Sequence, residues 1–372
     1  MPHAPSVPLA GVLSDSAASY FVRDFARCQQ GFREACEQYR GAKQQQYHPL
    51  ASDEIDLGTD ILYLGEPAAE TVFVLISGTH GVEGYCGSAI QRFLLEQLAS
   101  IRLPASVAIL MVHSLNPWGM HWARRCDVQG IDLNRNFIDF SHPPSLPIEY
   151  EQVLQSLLQS QNRHQEMLLQ SEKWGQAEFD RIFSGGQYAY PWAPFYGGQD
   201  KAHGRRVIEQ VIADYQLADR HTLVIDLHTG LGPWSFGELI SDHPVNSAGN
   251  RQARAYFGAA IANAHEGGSF SVPKIGLMDY CFHQIMQQQG FFLTLEFGSY
   301  GTAELFEVLL NEHVYWKEHT PDSLQDSAYQ VHRQRMLEHF CPDDLLWQQA
   351  VLFKAWQVFN RVLKVAVTHA SF

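Results

Sequence analysis

Cysteine is sparse in this chain of 372 residues. Six are scattered at 28, 36, 86, 126, 281 and 341, with no Cys-x-x-Cys pair. That spacing excludes a disulfide framework and a cysteine-rich zinc site, and makes a reducing compartment the simpler expectation. Long apolar runs are also missing, and none approaches the roughly 18 residues needed to span a bilayer. No long run of Lys and Arg occurs, and the formal net charge is −14. An acidic surface repels phosphate backbones, so nucleic acid is excluded as an expected partner, as is a membrane. The first residues, MPHAPSVPLAGVL, lack the basic start and apolar core of a signal peptide. The expected location is therefore cytoplasmic.

What is present reads as an α/β chain. TVFVLIS (71–77), VAILMVHSL (107–115), TLVIDLH (222–228) and FFLTLE (291–296) are nearly continuous apolar runs ending at turn residues. A helical pattern, SAIQRFLLEQL (88–98), separates the first two. Runs of this kind predict a mostly parallel or mixed central sheet with helices on both faces. An amphipathic helix is expected over 17–40 with Ser16 as its cap, and two helices over 320–372. Three regions follow: an N-terminal helical segment (1–50), a catalytic region (51–315) and a C-terminal helical extension (316–372). Residues 184–199, SGGQYAYPWAPFYGGQ, form a long aromatic loop. Its Tyr188, Tyr190, Trp192, Phe195 and Tyr196 are candidates for one wall of a cleft.

Chemistry gathers just past the strands. His80 and Glu83 follow the first run, Asn116, Arg124 and Arg125 the second, His228 ends the third, and Glu296 closes the fourth. Ligand sites in open parallel sheets form at the carboxyl ends of strands, so four strands deliver these groups to one rim. Imidazole and carboxylate suit zinc, which at catalytic sites takes three protein ligands and water. His80 and Glu83 lie in a turn with glycines at 78, 81 and 84, and His228 is the distant third ligand. The segment RRCDVQGIDLNRNF (124–137) adds Arg125, Asp132, Asn134 and Arg135. Arginine suits a carboxylate or an oxyanion. Glu296 sits in an apolar strand, where an unpartnered carboxylate is costly, and water at a metal is one partner it could serve.

Together GTHGVEG (78–84), NPWG (116–119), RCDVQGIDLNRNF (125–137), DLHTG (226–230) and LEFG (295–298) resemble, in order and spacing, the motifs of the zinc carboxypeptidase superfamily, the carboxypeptidase A-like metallopeptidases. The likeness covers about residues 70–300 and is closer to a bacterial branch than to the secreted digestive enzymes. It implies the phosphorylase/hydrolase-like fold and one Zn2+ per chain on His80, Glu83 and His228. It also implies that Asp132 orients His80, that Arg125 stabilises the oxyanion, that Asn134 and Arg135 hold a substrate carboxylate, and that Glu296 is the general base. Tyr280 is the nearest candidate for that superfamily's substrate-capping tyrosine. The implied activity is amide hydrolysis by metal-activated water, as a metallo-carboxypeptidase or peptide amidase acting on a small peptide. The superfamily also holds deacylases of the succinylglutamate desuccinylase and aspartoacylase kind, so an N-acyl amino acid deacylase is the alternative. A non-catalytic binding protein on the same scaffold would be marked by a lost ligand or base, and none is lost here.

Overall fold

All seven residues of the run Thr71–Ser77 are buried, as are all seven of Val107–His113. In the computed structural model, which describes residues 15–39, 42–47, 56–286, 289–319, 321 and 323–369, such runs make the middle of an eight-stranded mixed sheet. Its strands are β1 (Lys43–Tyr47), β2 (Thr59–Leu64), β3 (Thr71–Ser77), β4 (Val107–His113), β5 (His221–Thr229), β6 (Gly237–Ile240), β7 (Ile261–Ala262) and β8 (Gly290–Phe297), in the order β1-β2-β4-β3-β5-β8-β6-β7. The four expected strands β4, β3, β5 and β8 are mutually parallel. β2 and β6 join that block antiparallel, one on each side.

Period-two alternation explains why the central strands carry no polar face. Phe73, Leu75, Leu223 and Ile225 point to one side, into a layer with Phe93 of helix Gly84–Leu98 and Phe359 of helix Leu345–His369. The Phe73 and Phe359 ring centres are 5.0 Å apart. Val72, Val74 and Val224 point to the other side, against Val207 and Val211 of helix His203–Asp214 and Phe282 of helix Asp279–Met286. Each parallel strand is thus covered on both faces.

From β3 the chain crosses through Gly84–Leu98 to β4 on one side, whereas β5 adds to the other side of β3. The direction of winding reverses between β3 and β5. At such a switch point the loops leaving the two strands diverge and leave a crevice at their carboxyl ends.

The N-terminal segment differs from the expected continuous helix. A short 3-10 turn, Asp15–Tyr20, precedes the helix Phe25–Glu37. Asp24, not Ser16, is the cap: its backbone is extended and its side chain accepts from Arg27 N at 2.9 Å. A short carboxylate reaches the free N–H groups of a first turn, which fixes the start there. Phe25 and Phe32 join the same apolar layer as the sheet. The expected 315/316 boundary falls inside helix Thr302–Glu318, and the 50/51 boundary lies outside the described residues. Among the described residues no helix is long and apolar enough to cross a membrane. All six cysteines are free.

Candidate metal centre

The loop after β3 is shaped by close backbone approach. Gly78 has φ 72°, and a Cβ at Gly81 would stand 2.1 Å from the carbonyl carbon of Gly119. Only glycine permits that contact. It brings Gly81 N to Arg125 O (3.1 Å) and Val82 N to Arg124 O (2.8 Å), which stitches the loop of His80 and Glu83 to the loop of Arg125. The Asn-Pro-Trp-Gly motif supports this junction. Asn116 caps helix Pro117–His121 by accepting from Gly119 N (2.9 Å), and its amide donates to Arg125 O (3.4 Å).

His80, Glu83 and His228 meet at the switch point, all buried, with one potential ligand atom from each within 4.8 Å of the others. His80 Nδ1 lies 2.8 Å from Glu83 Oε1, His228 Nδ1 lies 3.0 Å from Glu83 Oε2, and the two Nδ1 atoms are 3.1 Å apart. The outer nitrogens are both engaged. His80 Nε2 meets Asp132 Oδ1 at 3.2 Å, and His228 Nε2 meets Asp226 Oδ2 at 2.6 Å. A carboxylate behind each ring makes Nε2 the N–H donor and leaves Nδ1 a lone-pair acceptor. Two lone pairs and a carboxylate facing one another at 3 Å repel unless a positive charge sits among them. A proton or a metal ion supplies it, and the donor set suits zinc. The electrostatics agree. Burial pushes the His228 imidazole down, but Asp226 and Glu83 outweigh it and hold it well above the usual histidine range. Burial likewise opposes ionisation of Glu83, yet the two imidazoles keep its carboxyl far below the usual carboxylate range.

The other expected residues surround this centre. Glu296 is buried on β8 with Oε1 accepting from Leu231 N at 3.1 Å, and it lines the cavity in front of the histidines. Burial, then the charge of Glu83, raise its carboxyl to about 8. Asp132 holds His80 with one oxygen and accepts from Arg125 Nε with the other (2.9 Å). Arg125 also donates from Nη1 to Glu83 Oε1 (3.0 Å), and its side chain lines the cavity. Arg135 is fully buried and lines the same cavity, with its donors turned to Ser184 O (2.7 and 3.1 Å) and Asn134 O (2.7 Å). No carboxylate pairs with it at ion-pair distance among the described residues, so it is a buried cation without a contacting counter-ion. Asn134 is fixed by Met278 N, which donates to Oδ1 at 2.8 Å. Arg124 goes elsewhere: it forms a buried ion pair with Glu312 and stacks over Trp316 at 4.3 Å.

The aromatic loop is mostly scaffold. Of its five aromatics Phe195 alone lines the cavity. Tyr188 supports Arg135 by donating to its carbonyl (2.7 Å), Tyr190 donates to Glu151 (2.8 Å), Trp192 lies under Lys317 (3.7 Å), and Tyr196 joins the second apolar layer. Tyr280 is not among the residues that line the cavity, and its hydroxyl donates to Lys274 O (2.9 Å). Sequence reasoning assigns no role to Asp226, although the i, i+2 spacing to His228 on a strand puts both on one face. It also misses Lys274, Asp242 and Asp180, which line the cavity from loops and a helix with no marking motif.

A His–Glu–His centre with a neighbouring glutamate at the switch point of an α/β sheet defines the class of site. Over residues 21–354 the chain matches the family model described as "Protein of unknown function (DUF2817)", and it belongs to that family. No curated protein matches it. Similar solved structures include a carboxypeptidase A from Helicoverpa armigera (14% identity, covering 95% of this chain and 78% of that one, TM-score 0.47). Others are a metallo-carboxypeptidase from Burkholderia cenocepacia (14%, 89% and 69%, 0.42) and a succinylglutamate desuccinylase from Chromobacterium violaceum (13%, 87% and 75%, 0.36). With TM-scores below 0.5, these likenesses add no weight to the reading of the site, which rests on its own geometry.

Proposed function

We propose that this chain is a zinc-dependent hydrolase that cleaves an amide bond beside a carboxylate, as a metallo-carboxypeptidase or peptide amidase does. The observation that carries the reading is the pair of imidazoles, each backed by a carboxylate at Nε2, turning Nδ1 toward each other and toward Glu83. His80, Glu83 and His228 would hold one zinc per chain. Zinc bound there would supply Lewis acidity and lower the pKa of water.

The remaining steps belong to the chain's own side chains. Arg135, buried without a contacting counter-ion, binds the substrate carboxylate, and the free amide nitrogen of Asn134 assists. Glu296 keeps one oxygen on Leu231 N and has the other for a proton. It takes that proton from the attacking water and returns it to the departing amine nitrogen. A carboxyl raised toward neutrality suits both directions of transfer, and a dication at the centre would draw its pKa down again. Arg125, with Nε and Nη1 engaged, retains Nη2 for the developing oxyanion.

The test is a screen of zinc-loaded protein against C-terminal peptides, murein peptides and N-acyl amino acids, read by mass spectrometry, with chelator-stripped protein as control. Metal-dependent cleavage is expected in at least one class. Full zinc occupancy with no turnover in any class would count against the reading.

A further inference from the structure

The loop between β7 and helix Asp279–Met286 carries a serine and a lysine that the hydrolase reading does not use. Ser271 and Lys274 both line the cavity and are half-buried, so the pair is enclosed yet reachable. Lys274 Nζ donates to Ser271 Oγ and to Val272 O (2.9 Å), and among the described residues no ion pair joins it to a carboxylate. The loop is held on both sides of the pair. Ser271 N donates to Ser269 Oγ (3.0 Å), whose hydroxyl donates to Glu238 on β6 (3.1 Å). Tyr280 Oη donates to Lys274 O (2.9 Å), and Ile275 N to Gly185 O (2.9 Å).

A serine hydroxyl is a weak nucleophile until a base takes its proton. An activated pair has the hydroxyl and the base in contact, a third group that orients the base, and a base that is neutral near working pH. Val272 O is the orienting group. The surroundings supply the neutral base. Burial lowers the Lys274 ammonium most, the guanidinium of Arg135 lowers it further, and Arg125 adds a smaller push. Asp242 and Glu296 oppose them, and the balance is about 8, against the ordinary 10.5. Asp180 and Glu238 also feel its charge. A protonated amine donates to both partners. The neutral amine keeps an N–H on Val272 O and turns its lone pair to the hydroxyl.

We propose that Ser271 and Lys274 form a nucleophilic pair that works without metal, in which Ser271 accepts an acyl group from an activated ester and Lys274 is the base. Ser271 Oγ bonds to the ester carbonyl carbon as its proton passes to Lys274 Nζ. The bond from that carbon to the leaving oxygen then breaks, and the leaving oxygen takes the proton from Lys274. The chain keeps an acyl ester on Ser271, the amine is neutral again, and nothing is oxidised or reduced. The amide cleavage proposed above differs, because its nucleophile is water and no bond to the protein forms.

The test treats the full chain, zinc-loaded and chelator-stripped, with p-nitrophenyl acetate. Peptide mass spectrometry locates the acetyl group, and its rate of appearance is followed against pH. Ser271 should be acetylated in both forms, and in the stripped form the rate should rise with pH and level off above about 8. Ser271→Ala should remove the acetyl from this loop. Lys274→Arg keeps the charge and the donors but not the base, and should slow acetylation of Ser271 about a hundredfold or more. Zinc content of each variant shows that the cavity is intact, so a misfolded protein is not read as a lost base. An unmodified Ser271 in the wild type, a rate that climbs with pH without levelling, or a Lys274→Arg protein with its zinc and the wild-type rate would overturn the proposal. Ser271 acetylated with no amide cleavage would sink the hydrolase and keep this pair. Metal-dependent amide cleavage with Ser271 unmodified would do the reverse.

Discussion

His228 on β5 and Glu296 on β8 are register partners across two parallel strands. Paired residues point to the same face of a sheet, so the backbone alone sets the glutamate beside the histidine. Yet their partners differ. His228 Nδ1 faces Glu83 at 3.0 Å, whereas Glu296 is tied to Leu231 N at 3.1 Å and lies outside the group of three converging ligand atoms. Adjacency without participation is what a proton carrier next to a metal requires, since a fourth protein ligand would close the position that substrate and water share.

The three converging atoms should bind one zinc per chain. Metal analysis of the purified protein should show that stoichiometry, and His228→Ala should lose most of it. Saturating zinc, at about 100 times its Kd, should stabilise the wild type by about 2.7 kcal/mol over the stripped protein and the variant hardly at all. Full zinc content in His228→Ala would refute the ligand set.

Asp226 should act through His228. Its Oδ2 holds the imidazole Nε2 at 2.6 Å, and its Oδ1 is itself held by Thr79 Oγ1 at 2.8 Å. Asp226→Asn removes the charge that fixes the tautomer and strengthens Nδ1 as a donor to metal. Zinc affinity, measured by competition with a chelator, should fall about 10–100-fold while His80 and Glu83 stay in place. An unchanged zinc Kd would show that the carboxylate is only structural.

Much of the fold and the site is legible in the amino-acid sequence alone, for identifiable reasons. Strands β3, β4, β5 and β8 announce themselves because both faces are buried, so Val72 and Phe73 alike must be apolar. His80, Glu83, His228 and Glu296 stand out because polar groups at the ends of such runs have no packing role. The flanking strands do not stand out. β1 is KQQQY, polar and half-exposed, and β6 is four residues long. Lys274 and Asp242 carry no signal, since tertiary contacts such as Ile275 N to Gly185 O put the Lys274 loop beside Arg135 and no periodicity encodes them. The aromatic loop misleads for the opposite reason. Its rings look like a binding wall, but four of the five have partners in the scaffold.

Arg135 should act on substrate affinity. Its donors rest on Ser184 O and Asn134 O, which hold the guanidinium in place without neutralising it. Arg135→Ala should raise KM more than it lowers kcat, by about tenfold or more. Substrates with the carboxylate amidated should show the same loss with the wild type. Equal cleavage of free-acid and amidated substrates would remove this role.

Stability of the metal-free protein should carry the signature of Glu296. Burial and Glu83 hold its carboxyl at about 8 in the folded chain, above the ordinary 4.5. The folded state therefore binds this proton more tightly than the unfolded state. That contribution is fully present below pH 4.5 and is lost as pH rises through 8. In chelator, wild type should fall behind Glu296→Gln by on the order of 4 kcal/mol between about pH 5 and pH 9. Zinc should shrink the gap, because a nearby dication favours the ionised carboxylate. Urea denaturation across that range measures it, and a gap that does not change with pH would contradict the assignment.

The last prediction separates Glu296 as a proton carrier from Glu296 as a structural group. An amide is a poor electrophile and its nitrogen a poor leaving group, so a metal alone does not complete the reaction: a base must take a proton from water and an acid must give one to nitrogen. Glu83 is committed to both histidines and to Thr229 N (3.0 Å), and Asp132 to His80 and Arg125. Asp226 is held between His228 and Thr79. Of these four acids Glu296 is the one whose tie is a single backbone N–H, so it has an oxygen to spare for the proton. Glu296→Gln keeps the shape and the acceptor for Leu231 N but cannot carry the proton. Zinc content and substrate KM should stay near wild type, while kcat falls by roughly a hundredfold or more. A variant that kept its zinc and a wild-type kcat would show that the proton moves through another group.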